Sequence, residues 1–226
     1  MMSAESLLDE TAARLKPYGL MPRGGFVFDE TDIAPVLPGG VTPGSVILVG
    51  HSGSSLWSHF VKWRRSHPNE ADPLDMWSKQ VLNGVAADIG AMAVFPSDRP
   101  YLPFQRWAMR AEGLAASPLG LLIHPQYGLW QAFRGALLFE RPFEFPQLDA
   151  FDHPCDLCKE KPCLSACPVD AFDGISFAVT RCRDYLPAGG FTCMDEGCQA
   201  RLACPIGREY TYAPDQQRFH MAAFAI

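Results

Sequence analysis

The sequence predicts an α+β protein with a layered α/β domain over residues 1–148, a small cysteine module over 149–210 and a tail, 211–226, that packs back on the first domain. Three observations predict it. All eight cysteines lie between Cys155 and Cys204, and none precedes them. Helical and strand patterns interleave in the first part without a βαβ repeat, which favours layered α+β architecture over a doubly wound sheet. The Pro-rich stretch Arg141-Pro142-Phe143-Glu144-Phe145-Pro146 reads as the connection between the parts.

The elements of the first part follow from periodicity and punctuation. Ser3 to Leu15 sets Leu7, Leu8, Ala12 and Leu15 on one side of a helix that ends before Lys16-Pro17 and Gly19. Gly25 to Phe28 and Ser45 to Val49 are short β-rich runs bounded by Pro and Gly, so both read as strands. Asp72-Pro73 opens a helix that runs through Trp77, Val81 and Val85 toward Ile89 and Gly90. Ala91 to Phe95 reads as a strand, Phe104 to Glu112 as a helix, and Leu121 to Ile123 and Ala132 to Phe139 as two more strands.

Composition narrows the function classes. The 226 residues are 48% hydrophobic and 19% charged, an ordinary globular balance. Net charge is -6, and no basic run exceeds the Lys62, Arg64, Arg65 cluster, so nucleic acid is not an expected partner. No segment approaches the roughly 20 apolar residues of a membrane span. The N-terminal stretch has acids where a secretory signal would carry positive charge, so a cytoplasmic protein is expected, a compartment in which eight cysteines do not suit structural disulfides.

The cysteines form two groups, Cys155-x2-Cys158-x4-Cys163-x3-Cys167-Pro168 and Cys182-x10-Cys193-x4-Cys198-x5-Cys204-Pro205. Runs that end in Cys-Pro are the bacterial iron-sulfur signature, in which three cysteines bind one cluster and the fourth crosses to the other. The crossing rule puts Cys155, Cys158, Cys163 and Cys204 on one 4Fe-4S cluster. Cys167, Cys182, Cys193 and Cys198 remain for a second. Paired zinc sites could also use eight thiolates, but they do not call for Cys-Pro at both ends. A disulfide scaffold would need an oxidising compartment.

The order Cys163-Leu-Ser-Ala-Cys167-Pro-Val-Asp-Ala-Phe, followed by Arg181-Cys182-Arg-Asp-Tyr185-Leu186, resembles the iron-sulfur module of epoxyqueuosine reductases and, beyond them, of reductive dehalogenases. The resemblance makes Cys182 a ligand, which spacing alone leaves open. Upstream, Phe95-Pro-Ser-Asp98-Arg-Pro100 and Leu121-Leu-Ile-His124-Pro125-Gln-Tyr127-Gly128-Leu-Trp130 are similar to segments of the same reductases, and the second also to CblC-type proteins. In these families two 4Fe-4S clusters feed a cobalamin held by an α/β domain related to nitroreductases and CblC. The resemblance therefore implies a corrinoid, or a flavin, in the first domain. It places the catalytic acid at Ser97 or Asp98, depending on a one-residue shift. No helical-repeat segment follows the module, so epoxyqueuosine reduction is not the expected activity.

Other candidates are weaker. Gly50-His51-Ser52-Gly53-Ser54 fails as a hydrolase elbow because Ser54 stands where glycine is required. His51 and the Gly/Ser turn after its strand could face a corrinoid side chain, though a plain polar loop explains them as well. His124 and Tyr127 are cofactor-binding candidates, against the reading of a histidine satisfied at a strand end. His220 in the tail is a further candidate. The expected function is an iron-sulfur oxidoreductase that receives electrons from a redox partner protein and passes them through two clusters to an acceptor at the first domain. Two alternatives stay open: a ferredoxin-like carrier with no further cofactor, and a non-redox, metal-stabilised interaction protein.

Overall fold

The structure, a computed structural model, describes residues 3–148 and 151–226. Its elements are α1 (Ala4–Leu15), β1 (Met21–Val27), β2 (Ser45–Ser52), α2 (Trp57–Ser66), α3 (Pro73–Ile89), β3 (Met92–Val94), α4 (Phe104–Glu112), β4 (Ala115–Ala116), β5 (Leu122–Ile123), β6 (Gln131–Phe139), α5 (Pro154–Leu157), α6 (Pro162–Ser165), α7 (Val179–Gly189), α8 (Phe191–Glu196), α9 (Gln199–Leu202) and α10 (Pro214–Phe224). They fall into two compact units. The first takes the described residues of Met1–His51, Ser55–Gly113 and Ala132–Asp149, and the second those of Ser52–Ser54, Leu114–Gln131 and Ala150–Ile226.

A four-stranded sheet in the order β1-β2-β6-β3 organises the first unit. β2 is buried along its whole length, as a central strand covered on both faces must be. α1 and α4 pack on β1, and α3 packs on β3. α3 buries Leu74, Trp77, Ser78, Val81, Leu82 and Val85, the stripe expected of a helix with one face in the core, and ends at Gly90 with φ 65°. The mixture of helix and antiparallel pairing is the α+β class expected from the sequence.

α3 and α4 lie within a residue of their expected positions, whereas β1 begins earlier than Gly25. Pro22, Gly24 and Gly25 look like loop residues, yet they pair through a bulge that shifts the register on β2 between Pro22 and Gly25. The bulge carries Arg23, which is 1% exposed. Its Nε donates to Glu112 Oε1 and its Nη2 to Oε2, both at 2.6 Å, and the guanidinium lies 4.8 Å from the centroid of Phe133. One buried fork thereby ties β1, α4 and β6.

The tail forms α10 and packs on α8, so it belongs to the second unit and not to the first domain as the sequence suggested. Gln217 fastens it, donating from Nε2 to the carbonyl of Tyr212 at 2.9 Å. Segment 114–131 also joins the second unit, whereas the sequence boundary assigns it to the first.

Removing one partner of a buried pair strands the other charge. Arg23→Met is expected to cost about 3–5 kcal/mol in urea unfolding, and Arg23→Met/Glu112→Leu to recover most of it.

Candidate metal centre

The second unit has a core made of thiols. Cys163, Cys167 and Cys204 are buried together with Leu119, Ile123, Leu129, Ala171 and Ala200, while Cys155, Cys182 and Cys198 pack against that group. Leu119, Ile123 and Leu129 come from segment 114–131, which is the physical reason that this segment joins the module. Large apolar side chains are few among these residues, so little transfer free energy is available to hold the unit by burial alone.

Most of the thiols lie on or beside helices, several of them one turn long. His153 caps α5, its Nδ1 accepting the N–H of Cys155 at 3.2 Å. Cys163 lies on α6, Cys182 on α7, Cys193 on α8, and Cys198 is the N-cap of α9. The Cys167 Sγ accepts the N–H of Ala171 at 3.3 Å. All eight cysteines are free thiols, none in a disulfide.

Electrostatics sorts them into two sets. Burial, and after it the neighbouring Cys204, Cys163 and Cys158, push the Cys155 thiol up to about 11. Burial raises Cys163 as well, followed by Cys204 and Cys158. Cys182 rises to about 11, first by burial and then through Cys198, Cys167 and Cys193. Cys193 rises by burial and feels Cys198 and Cys167. Each of these thiols is raised by members of its own set of four, Cys155, Cys158, Cys163 and Cys204 in one, Cys167, Cys182, Cys193 and Cys198 in the other.

Among the described residues, no three His, Cys, Asp or Glu side chains converge as a shell for one metal ion. The thiols are thus within electrostatic reach of one another without forming a single-ion shell.

Two sets of polar atoms were not signalled by the sequence. The backbone N–H groups of Arg201 and Ala200 bond to Cys198, and that of Ile206 to Cys204, each opposing the rise that burial causes. His153 Nε2, Arg201 Nε and Trp130 Nε1 are buried without a hydrogen-bond partner. Backbone donors and orphaned side chains have no local sequence pattern, so spacing could not have found them.

The remaining candidates lie elsewhere. Asp98 accepts from Lys79 Nζ at 2.7 Å and from the Phe95 N–H at 3.1 Å. His51 is 1% exposed within β2. His124 and Tyr127 do come together, with rings stacked at 4.3 Å. His124 Nδ1, however, accepts the N–H groups of Gln126 at 3.0 Å and Tyr127 at 3.1 Å, which is the work of a turn cap. Gln126 Nε2 donates to Tyr210 Oη at 2.8 Å and Tyr127 meets the Tyr210 ring edge-on, so this turn fastens the loop after Cys204. His220 lies 5.6 Å from the ring of Tyr212.

No family model and no curated protein matches the chain. Solved structures do. Epoxyqueuosine reductase from Bacillus subtilis, in a form with its catalytic aspartate loop swung out of the active site, aligns over 94% of this chain and 69% of its own, with TM-score 0.55 and 15% identity. The B12-trafficking protein CblC from C. elegans aligns over 96% of this chain and 91% of its own, with TM-score 0.54 and 15% identity. An epoxyqueuosine reductase solved with an epoxyqueuosine-modified tRNA stem loop aligns over 94% and 69%, with TM-score 0.51 and 16% identity.

The chain shares their fold. These are the two families that the Cys163–Leu186 and Leu121–Trp130 stretches resemble. Among the described residues, no helix is long and apolar enough to cross a membrane.

Raised thiols make the metal-free chain pH-sensitive. Folding favours the protonated form of Cys155 and Cys182, so their contribution to stability is complete below pH 9 and is lost as pH rises through about 11. The urea midpoint of the chelated, reduced chain should fall across that window. A flat midpoint would show that folding does not raise these thiols.

Proposed function

We propose that the chain is an iron-sulfur electron-transfer protein that holds one 4Fe-4S cluster on Cys155, Cys158, Cys163 and Cys204 and a second on Cys167, Cys182, Cys193 and Cys198. The observation that carries the reading is the sorting of eight free thiols into two interlocked fours. The donor set fits the group. Soft thiolates are the ligands of such clusters. Each cluster, when bound, would supply a one-electron carrier.

The protein's own part is to hold and tune. Its thiols give up their protons on loading, which the raised values make harder at low pH. The N–H bonds to Cys167, Cys198 and Cys204 stabilise negative charge on sulfur and so favour the reduced form. The Cys-Pro steps turn Cys167 and Cys204 toward the opposite set.

Electrons would arrive from a redox partner protein and leave to an acceptor at the α+β unit. A corrinoid or flavin there would make the chain an enzyme, a reading supported by the fold shared with a B12-trafficking protein. The candidate residues do not fit a corrinoid as ligands: His51 is enclosed in a central strand and His124 Nδ1 is taken by two backbone donors. Asp98, ion-paired with Lys79, is a candidate proton donor by resemblance.

Anaerobic reconstitution tests the reading. The chain should bind about eight irons and eight sulfides, and Cys182→Ala should lose about four of the irons. A colourless protein holding zinc in place of iron would refute the clusters, and unchanged iron in Cys182→Ala would refute that ligand. Hydroxocobalamin and FMN, added separately to the loaded protein, decide between enzyme and carrier: a spectral change marks the first, none the second.

A further inference from the structure

Arg201 sits three residues after Cys198, on α9. Its guanidinium lies between two aromatic rings, 4.5 Å from Trp130 and 4.5 Å from Tyr212. Nη2 donates to the carbonyl of Leu129 at 2.5 Å, while Nε is buried and has no partner. Among the described residues no carboxylate pairs with it. A cation partly withdrawn from water with one donor unused is costly unless negative charge stands nearby. Neutral thiols provide none, whereas an all-thiolate cluster carries net negative charge that grows on reduction.

The first set lacks such a group. The cations within reach of it, Lys161 at Cys155 and Arg208 at Cys204, have exposed side chains and are screened by water and salt. The acids near the second set, Asp184, Asp195 and Glu196, are exposed as well. Cys155 also lines a surface recess with His153, Lys161 and Ser176, which gives an external donor access to the first set.

We infer that Arg201 makes the cluster on Cys167, Cys182, Cys193 and Cys198 the higher-potential one, so that an electron entering at the first cluster settles on the second. The inference rests on the two-cluster reading. The step is one electron from the reduced first cluster to the oxidised second, with no bond broken and no proton moved. The electron is supplied by an external one-electron donor of the reduced flavoprotein or ferredoxin class. Arg201 acts here as a positioning residue whose charge is felt at Cys198, a member of the second set.

The test is an anaerobic titration of the reconstituted full chain with dithionite, followed by EPR. Two potentials are expected, and the higher should belong to the signal lost in Cys182→Ala and kept in Cys158→Ala. Arg201→Gln should lower that potential and leave the other in place. Arg201→Lys, which keeps the charge but not the planar fork, should lower it less. Lys161→Gln should move neither. Iron content measured on each variant shows that the clusters are present. Full iron with unmoved potentials in Arg201→Gln, or an equal shift in Lys161→Gln, overturns the role of Arg201. A wild-type chain that takes up no iron overturns the two-cluster reading instead.

Discussion

Sharing of thiols across the module is the constraint on which the second unit depends. Cys204, from the far end of the module, raises the thiols of Cys155 and Cys163, and Cys167, from the first half, raises that of Cys182, so each half acts on the thiols of the other. Because the same thiols make up the core of the unit, its fold and its site are one structure. Folding of the first half therefore needs the second half present, and a bound metal group would add free energy to folding itself. In the first unit the core is separate from any site and follows ordinary burial on a sheet.

Segment 114–131 holds the crossing thiol Cys204 in place. Gly128 has φ +56°, and a Cβ there would come within 2.0 Å of the carbonyl oxygen of Ile206, two residues beyond Cys204. Gly207 mirrors it, since a Cβ would meet the carbonyl carbon of Tyr127 at 2.4 Å. Two backbones can approach this closely only where side chains are absent on both. The His124 cap, the stacked Tyr127 ring and the bond from Gln126 to Tyr210 fix the same approach from the other side. His124 and Tyr127, cofactor-binding candidates in the sequence, thus also fasten the loop after Cys204.

How much was legible depended on whether the signal was local. The α3 stripe and the Asp72-Pro73 start repeat within one helix and could be read. The two Cys-Pro runs were legible because each is a local pattern, whereas which thiols share a cluster is a long-range matter on which spacing bears only through the crossing rule. α2 escaped because Leu56 gives it no side-chain cap and Lys62, Arg64 and Arg65 interrupt its apolar positions. α10 escaped because its buried positions are Gln216 and Gln217, which no hydrophobic pattern marks. Segment 114–131 looked like part of the first domain because its strand pattern resembles that of the neighbouring strands; its membership is decided by what Leu119, Ile123 and Leu129 touch. Arg23 and Glu112 stand 89 residues apart, beyond any pattern window.

Arg23 is buried and Arg201 half-buried, and the two units treat these arginines in opposite ways. Arg23 is fully enclosed, and Glu112 answers its charge through two short bonds, so the fork is neutral as a pair. Arg201 is held by a carbonyl and two aromatic faces, groups that orient a guanidinium without cancelling its charge. The chain thus pairs Arg23 with an acid, whereas among the described residues no acid pairs with Arg201 beside Cys198. Aromatic faces fix the position of the cation while leaving its field intact, and a field left intact acts on whatever negative charge the neighbouring sulfurs bear. An acid at that point would neutralise the field that now reaches Cys198.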